Sequence, residues 1–345
     1  MKELKDLVRA NIWEMTPYSC ARDEFKGEAS VYLDANESPY NEPYNRYPDP
    51  MQWQLKDRIA ELKGVDRNCI FLGNGSDEPI DLLIRVFCEP GIDNIVSIAP
   101  SYGMYEVASY VNDAAIRKVE LTKDFDLDAN RVLKAADDWV KIIYLCSPNN
   151  PTGNSLNRNE VYKVLNGFEG IVVIDEAYID FSSGPSFLPE LSKFPNLVIL
   201  QTFSKAWGGA GIRLGMAFAS PEIIAILNKV KYPYNVNVLT QEYALKILGR
   251  KDAMEKQVRQ ILSERSRLLA ALPDLRCVRK IYPTDTNFIL VEMVNANLVY
   301  KYLVKEKIIV RNRNNVTMCG GCLRITVGSP EENDTLLAVL KNIYI

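Results

Sequence analysis

The residues best suited to chemistry surround one lysine, Lys205, in the segment from Gln201 to Arg213. This lysine lies between an apolar run and a glycine-rich stretch, whereas most lysines are solvated surface residues. A lysine held in an apolar site near other cations has a lowered pKa and can form imines. Thr202, Ser204 and Arg213 are close to it in sequence and are suited to binding a phosphate. The segment therefore predicts imine chemistry beside a phosphate site.

A second candidate, Asp175, directly follows an apolar run that ends at Ile174. An acid at such a position is commonly a turn former or a helix cap. A carboxylate is also what a pyridoxal cofactor needs, because it keeps the pyridine nitrogen protonated. Tyr178 and Asn150 could each reach the phenolic oxygen of such a cofactor, and Tyr102 offers a ring face for stacking. The sequence leaves both interpretations of Asp175 open.

The chain contains no histidine, which limits the reactions it can catalyse. Ser-His-Asp hydrolysis, Cys-His proteolysis and histidine-ligated metal sites are excluded, so acid–base work falls to Lys, Asp, Glu, Tyr or Cys. Cys319 and Cys322 form a C-x-x-C pair with no second pair nearby. That spacing favours a glycine turn flanked by two small residues, and we expect no metal.

The composition is that of an ordinary soluble globular protein. The 345 residues are 47% apolar and 25% charged, and this length suits a large domain with a smaller one. The net charge is −3 with both signs interspersed, and no apolar run is long enough to span a bilayer. We therefore expect no nucleic-acid or membrane partner. The scattered cysteines predict reduced thiols in a cytoplasmic protein.

Four short apolar runs predict strands that are buried on both faces of a parallel sheet. They are Ile95–Ile98, Ile142–Cys146, Ile171–Ile174 and Val198–Thr202. Polar or special residues follow each run directly. Because ligands of open α/β sheets lie beyond the carboxyl ends of the strands, we expect one shared site there.

A glycine loop precedes these runs in the chain. Ile70–Leu72 predicts a strand, Gly73–Glu78 a loop, and the apolar spacing from Ile80 to Phe87 a helix. The N-terminus of a helix offers free N–H groups and a positive dipole end to a phosphate. A tight loop that only caps the helix explains this segment equally well.

The predicted fold is α/β, with a mostly parallel sheet flanked by helices in a large domain and a smaller α+β domain. We expect residues 1–40 to pack on the small domain, 41–240 to form the large cofactor-binding domain, and 241–345 to form a linking helix and the small domain. The linking helix is predicted from about Thr240 to Leu272. The remainder predicts strand–helix–strand–strand–helix, with a capping box formed by Ser329 and Glu332.

Several motifs resemble those of the fold-type-I aminotransferases. They are Ser147-Pro148-Asn149-Asn150-Pro151-Thr152-Gly153, Asp175-Glu176-Ala177-Tyr178, and Ser204-Lys205 with Arg213. Other motifs narrow the resemblance to the histidinol-phosphate aminotransferase family: 16–22, 33–37, 45–49, 75–78, 100–105, 309–311 and 323–328. Each motif alone is weak, but together they span nearly the whole chain in the family's order.

The resemblance implies a fold-type-I, pyridoxal-phosphate-dependent transaminase that works as a homodimer. Lys205 is implied to form the Schiff base and carry the proton, Asp175 to pair with the pyridine nitrogen, and Asn150 and Tyr178 to bind the phenolic oxygen. The residues implied to hold the cofactor ring or its phosphate are Tyr102, Ser76, Asp77, Thr202, Ser204, Arg213 and, from the partner subunit, Tyr47. Those implied to recognise the substrate are Tyr18, Asn36, Arg311 and Arg324.

The reaction implied by the resemblance is a step of histidine biosynthesis with ping-pong kinetics. An amino group passes between L-histidinol phosphate and 2-oxoglutarate, giving imidazole-acetol phosphate and L-glutamate. A pyridoxal-dependent decarboxylase of a phosphorylated amino acid is an alternative, as is an aminotransferase for aromatic or acidic amino acids. A cofactor-binding regulatory module is a third, although no DNA-binding pattern accompanies it.

Overall fold

The computed structural model describes residues 2–20 and 29–343, so Ala21 and Arg22 of the first family motif lie outside the described residues. The helices are α1 (Leu4–Leu7), α2 (Ala10–Glu14), α3 (Trp53–Lys63), α4 (Asp77–Phe87), α5 (Met104–Val111), α6 (Ala129–Ala135), α7 (Arg158–Gly167), α8 (Pro221–Val230), α9 (Val238–Leu248), α10 (Lys251–Ala271), α11 (Ala296–Lys305) and α12 (Pro330–Lys341). The strands are β1 (Ile70–Asn74), β2 (Asn94–Ala99), β3 (Ala115–Glu120), β4 (Val140–Cys146), β5 (Ile171–Asp175), β6 (Leu197–Thr202), β7 (Leu214–Phe218), β8 (Val278–Ile281), β9 (Phe288–Met293), β10 (Arg311–Asn312) and β11 (Cys322–Thr326).

The larger sheet confirms the predicted mostly parallel α/β architecture. Within the described residues it has seven strands in the order β1-β7-β6-β5-β4-β2-β3. The pairs β2–β3, β2–β4, β4–β5 and β5–β6 are parallel, while β7 runs antiparallel to both of its neighbours. The carboxyl ends of β1, β2, β4, β5 and β6 therefore lie along one edge.

The central strands are apolar along most of their length because both faces of the sheet are covered. Every residue of β5 and β6 is buried. Ile143 and Ile174 join one apolar cluster, whereas their chain neighbours Tyr144 and Val173 join the cluster on the opposite face. Burying one such side chain contributes about 1.5–3 kcal/mol, which explains why these strands lack polar alternation.

The smaller sheet is antiparallel, with the order β10-β11-β9-β8. Its apolar face packs against α11 and α12. Two strands, β8 and β9, precede α11, where the sequence predicted one; β8 was missed because its outer position leaves its residues only partly buried. The predicted capping box is confirmed: Ser329 Oγ accepts from the Glu332 N–H, and Glu332 Oε2 accepts from the Ser329 N–H at 2.8 Å.

The helical region between the two sheets is interrupted. The sequence predicted one helix from about Thr240 to Leu272, but α9 ends at Leu248 and α10 begins at Lys251. Gly249 lies at the break, where it caps the end of α9. No helix of the described part of the chain is both long and apolar enough to cross a bilayer.

The N-terminal helices pack on the large sheet's helices, so the prediction that residues 1–40 pack on the small domain is wrong for residues 4–14. Leu7, Val8 and Ile12 are buried in the cluster that includes α4. The Arg9 backbone N–H donates to the Val86 carbonyl at 3.0 Å, and its guanidinium pairs with Glu89 at 3.1 Å. These apolar side chains cover α4, which the sequence alone did not indicate.

Candidate active site

A cavity of about 950 Å³ lies where the carboxyl edge of the large sheet meets the arginines of the small sheet. Most of the predicted site residues line it: Ser76, Asp77, Tyr102, Asn150, Asp175, Tyr178, Thr202, Ser204, Lys205, Arg213, Arg311 and Arg324. They come from loops after β1, β2, β4, β5 and β6 and from β10 and β11. The fold thus brings residues up to 248 positions apart, from Ser76 to Arg324, into one place.

Lys205 projects into this cavity from the loop after β6. Its side chain is partly buried, and its Nζ lies 5.6 Å from the centroid of the Tyr178 ring. Burial lowers the pKa of Lys205, and the nearby Arg324 guanidinium lowers it further. A larger fraction of the amine is therefore neutral, which is the form that attacks a carbonyl carbon.

Asp175 is buried at the end of β5 and is held by two donors. Its Oδ2 accepts from the Tyr105 hydroxyl at 2.7 Å, and its Oδ1 accepts from the Ala177 N–H at 3.0 Å. Burial raises the pKa of the Asp175 carboxyl, while the bond from Tyr105 opposes that rise. Among the described residues no lysine or arginine forms a salt bridge with it. A cationic ring nitrogen in the cavity would supply the missing partner.

The N-terminus of α4 and Arg213 together line one end of the cavity and form a cradle there. Asp77 Oδ1 accepts from the Tyr102 hydroxyl at 3.0 Å, and Asp77 Oδ2 pairs with Arg213 at 3.4 Å. Gly75 has a φ of +72°, which favours glycine, and a Cβ there would lie 2.7 Å from the Arg213 guanidinium and displace it. Backbone N–H groups of the helix and the guanidinium are both suited to an anion.

Two hydroxyls extend the cradle on its β6 side. The Thr202 hydroxyl lies 3.0 Å from the Ser204 hydroxyl, and Thr202 Oγ1 also accepts from the Ser204 N–H at 3.1 Å. The turn after β6 therefore fixes both oxygens beside Lys205. Hydroxyls and a guanidinium in this arrangement match the oxygens of a phosphate monoester.

Asn150 is buried in the loop after β4, where its neighbour Asn149 anchors the chain. Asn149 donates to the Pro100 carbonyl at 2.9 Å and accepts from Ser101 at 3.0 Å. The Oδ1 of Asn150 accepts from the Arg324 guanidinium. Because the amide oxygen is engaged, the Asn150 NH₂ group is what remains to donate into the cavity.

The two predicted substrate arginines lie side by side on adjacent strands of the small sheet. Arg311 of β10 and Arg324 of β11 are direct partners in the antiparallel register. Like charges at such positions destabilise a sheet unless an anion lies between them. Burial lowers the pKa of Arg324, whose guanidinium stacks 5.1 Å from the Phe288 ring, while Arg311 is exposed. Both therefore line the cavity as candidate anion ligands.

Three predicted residues do not line the cavity formed by the described part of this chain: Tyr18, Asn36 and Tyr47. Tyr47 is 50% exposed and stacks on Tyr234 with a 4.3 Å centroid separation. Tyr18 is 71% exposed. Asn36 has a φ of 55° in an irregular segment. A single chain does not bring these residues to Lys205.

Two polar side chains of the cavity that bear on its chemistry, Tyr105 and Arg313, were not predicted from the sequence. Tyr105 is fully buried and stacks on Tyr144, which fixes its hydroxyl on Asp175. Tyr102 precedes α5, so no helical spacing relates the two tyrosines in the sequence. Arg313 also lines the cavity, two residues after Arg311. Alternation along a strand would have placed it on the same face.

Comparison with known proteins agrees with this geometry. The sequence profile of the family "Aminotransferase class I and II" matches residues 28–340. The chain is 65% identical to a histidinol-phosphate aminotransferase of Parabacteroides distasonis over 345 residues, covering 100% of both chains.

Solved structures show the same fold. The histidinol-phosphate aminotransferase of Clostridium acetobutylicum has a TM-score of 0.80 at 26% identity, covering 86% of this chain and 90% of its own. The enzyme of Sinorhizobium meliloti, solved in complex with pyridoxal-5'-phosphate, has a TM-score of 0.79 at 23% identity, covering 89% of this chain and 88% of its own. By its matched profile and its full-length relative, the chain belongs to the class I and II aminotransferases and, among them, to the histidinol-phosphate aminotransferase family.

Proposed function

We propose that the chain transfers an amino group between L-histidinol phosphate and 2-oxoglutarate, with pyridoxal phosphate as cofactor, in histidine biosynthesis. The observation that carries the proposal is one cavity in which Lys205 and Asp175 face the arginine pair Arg311 and Arg324. The residues suited to the cofactor and the residues suited to an anionic substrate thus line the same cavity. The 65% identical relative, named for this activity, supports the same substrate.

The residues of the cavity fit pyridoxal phosphate at each of its polar groups. Asp175, buried without a basic partner among the described residues, suits the ring nitrogen, while Asn150 and Tyr178 suit the phenolic oxygen. The α4 N-terminus with Arg213 suits the phosphate. When bound, pyridoxal phosphate supplies an aldehyde that condenses with amines and a ring that accepts electrons from the substrate's Cα.

Lys205 has two roles in this proposal. Its Nζ would hold the cofactor's aldehyde carbon, and once the substrate amine has taken that place the free lysine amine would carry a proton between carbons. Both roles need the neutral amine, which the lowered pKa provides. Asp175 would hold a negative charge at the ring nitrogen, and Tyr102 would offer its ring face for stacking on the cofactor.

Arg324 binds the anionic ends of both substrates, and Arg311 binds the phosphate of L-histidinol phosphate. L-Histidinol phosphate carries a phosphate where glutamate carries its α-carboxylate, so Arg324 has to accept both groups. Its guanidinium is oriented by Asn150 and Phe288. A planar guanidinium binds carboxylate and phosphate oxygens in the same bidentate way.

The proposal includes a cytoplasmic homodimer in which Tyr47 reaches the cofactor phosphate of the other subunit. Tyr47 and Tyr18 are exposed in the single chain, as are Leu33 at 90% and Tyr232 at 79%. Large exposed apolar side chains of this kind are typical of a surface that another subunit covers. Tyr18 and Asn36 are proposed to recognise substrate near this surface.

Hybrid dimers test the shared site. A Tyr47→Ala variant and a Lys205→Ala variant, each of low activity, are mixed under conditions that allow subunit exchange. Activity should rise, because one hybrid site has both native residues. If native mass spectrometry shows hybrid dimers and activity does not rise, Tyr47 acts within its own chain or only structurally.

The test of the reaction separates it from decarboxylation of a phosphorylated amino acid. Purified protein with pyridoxal phosphate is given L-histidinol phosphate and 2-oxoglutarate, and glutamate and carbon dioxide are measured. We expect glutamate equal to the amine consumed and no carbon dioxide, since L-histidinol phosphate has no carboxylate to lose. A parallel assay supplies L-threonine phosphate as an example of a phosphorylated amino acid. If the protein releases carbon dioxide from it and forms no glutamate in either assay, the protein is a decarboxylase.

A further inference from the structure

A third arginine, Arg313, lies on the same face of the small sheet as the proposed substrate arginines. Its backbone N–H donates to the Cys322 carbonyl at 2.9 Å, which continues the ladder between β10 and β11. Residues two apart on a strand point to the same side, so Arg313 follows Arg311 toward the cavity. The side chains of Arg311, Arg313 and Arg324 all line that cavity.

Arg313 has no counter-charge among the described residues. Its side chain is half-buried, and its Nε is buried without a hydrogen-bond partner in that part of the chain. Burial, then Arg324 and Arg311, lower the pKa of Arg313 to about 10. Placing a guanidinium beside two others costs free energy unless an anion binds them.

The side chain of Arg313 does not hold the loop that follows it. Its backbone carbonyl accepts from the Val316 N–H at 2.9 Å, and Asn312 Oδ1 accepts from the Asn314 N–H at 2.9 Å. Asn314 Oδ1 accepts from the Gly321 N–H at 2.8 Å and closes the loop. Backbone and asparagine bonds therefore fix residues 312–321, and the guanidinium is free of that structural task.

The two substrates of the proposed reaction differ in the charge that they bring to this face. A phosphate monoester carries a charge of about −1.5 to −2 at neutral pH and has three acceptor oxygens. The α-carboxylate of glutamate has one charge and two oxygens, and it lies closer to Cα by a methylene and an ester oxygen. One guanidinium can neutralise the carboxylate. The phosphate needs a second guanidinium, and it lies further from Cα than the carboxylate does.

We propose that Arg313 is a specificity-determining residue that binds the phosphate of the amino donor and contributes little to binding glutamate. The inference rests on the proposed function and extends it: Arg324 serves both substrates, and Arg313 selects the phosphorylated one. Together with Arg311 and Arg324, it places three guanidiniums around a dianion. Selection then depends on the attraction between the Arg313 guanidinium and the phosphate, which glutamate does not use.

The test measures the two half-reactions separately in the holoenzyme. Arg313→Gln and Arg313→Lys are mixed with L-histidinol phosphate or with L-glutamate, and the absorbance change of the cofactor gives kcat/KM for each amine. Arg313→Gln should lower the value for L-histidinol phosphate about 30-fold or more, the loss typical of removing a charged partner from a bound anion. The value for glutamate should fall by less than about threefold, and Arg313→Lys should restore part of the loss.

Arg279→Gln is the matched control. It removes the same charge from the same sheet, but Arg279 pairs with Glu292 on the surface at 3.3 Å and does not line the cavity. Both half-reactions should be unchanged in this variant. As a second measurement, inorganic phosphate should inhibit the wild type and Arg279→Gln alike and should inhibit Arg313→Gln at least about tenfold more weakly.

Two results overturn the inference. Equal losses for both amines in Arg313→Gln would show that Arg313 does not select the phosphate, and unchanged kinetics with L-histidinol phosphate would show that it does not bind it. If Arg313→Gln does not fold, Arg313→Lys decides the matter through both half-reactions and through its inhibition by inorganic phosphate relative to the wild type. Failure of the wild type to use L-histidinol phosphate would overturn the proposed function itself, and this is seen before any substitution is made.

Discussion

The two sides of the cavity hold their polar groups in different ways. On the large-sheet side, Asp175 and Asp77 are each held by two donors from the protein itself. On the small-sheet side, Arg311, Arg313 and Arg324 have no carboxylate partner in the part of the chain that the structure describes. The first side is organised before any ligand binds, whereas we expect an anion to complete the second.

This difference predicts two kinds of mutant. A change on the large-sheet side should slow the reaction with every amino donor, because all donors use the same chemistry. A change on the small-sheet side should slow the reaction of some donors more than others, because it alters recognition. The first three of the following substitutions test this division by comparing L-histidinol phosphate with L-glutamate, and the fourth tests it through the pH dependence of the reaction.

The largest effect is expected for Lys205→Ala. Loss of both the nucleophile and the proton carrier should reduce turnover by more than about 10⁴-fold with either donor. Rapid-mixing kinetics with both amines measure this, and the unfolding midpoint should stay close to that of the wild type. A large loss with only one of the two donors would contradict the division between the sides.

Asp175→Asn should have the next largest effect, about 10³-fold on turnover with both donors. Asparagine keeps an oxygen that can accept from the Ala177 N–H, so the turn after β5 should survive while the negative charge is lost. Circular dichroism and bound-cofactor content check the fold. A variant that unfolds, yet has a normal rate per folded molecule, would show that Asp175 is only a turn former.

Arg311→Gln should act on one donor. We expect kcat/KM for L-histidinol phosphate to fall about 30-fold, which corresponds to about 2 kcal/mol. This is the lower end of the range for removing a charged partner, because Arg311 is exposed. Unphosphorylated histidinol should be a poor substrate and should barely respond. If histidinol or phenylalanine reacts as well as histidinol phosphate, the phosphate specificity is wrong and only the aminotransferase assignment stands.

The smallest effect is expected for Tyr105→Phe, which removes one hydrogen bond from Asp175. That bond opposes the rise in the pKa of Asp175, so its loss should raise this pKa and protonate the carboxylate at higher pH. The acid limb of the kcat/KM profile should therefore move upward by about one pH unit, since a bond to a charged group contributes about 1.5–3 kcal/mol.

Tyr110→Phe is the control for this measurement. Tyr110 lies in the same helix, but its hydroxyl is exposed and contacts Glu106 at 3.4 Å. Its pH profile should match that of the wild type. An unchanged acid limb in Tyr105→Phe would mean that the hydroxyl does not tune Asp175.

Local sequence patterns predicted the parts of the fold whose causes are local. The run Ile171–Ile174 is apolar because both faces of β5 are buried, and the side chain after it ends at the sheet edge. In contrast, β3 is mostly exposed and β7 contains Gly215, where a Cβ would lie 2.2 Å from the Gly75 backbone. Exposure leaves β3 without a continuous apolar run, and Gly215 interrupts the short apolar run of β7. Neither strand was therefore predicted.

Contacts between distant parts of the chain limit how much of the site could be predicted from the sequence. The bond between Tyr105 and Asp175 joins residues 70 positions apart, and no spacing rule indicates it. Lys205 and Asp175 were found because their motifs are short and continuous. The positions of Tyr47 and Tyr18 relative to the cavity depend on a surface outside the single chain, so they stay predictions.

The most direct test of the central claim is to identify the lysine that holds the cofactor. Protein with bound pyridoxal phosphate is reduced with borohydride, digested and mapped by mass spectrometry. We predict the reduced adduct on Lys205 alone. Lys56 is the informative competitor, because it is buried and its pKa is lowered to about 8, chiefly by that burial. An adduct on Lys56 or on any other lysine, with Lys205 unmodified, would contradict the account.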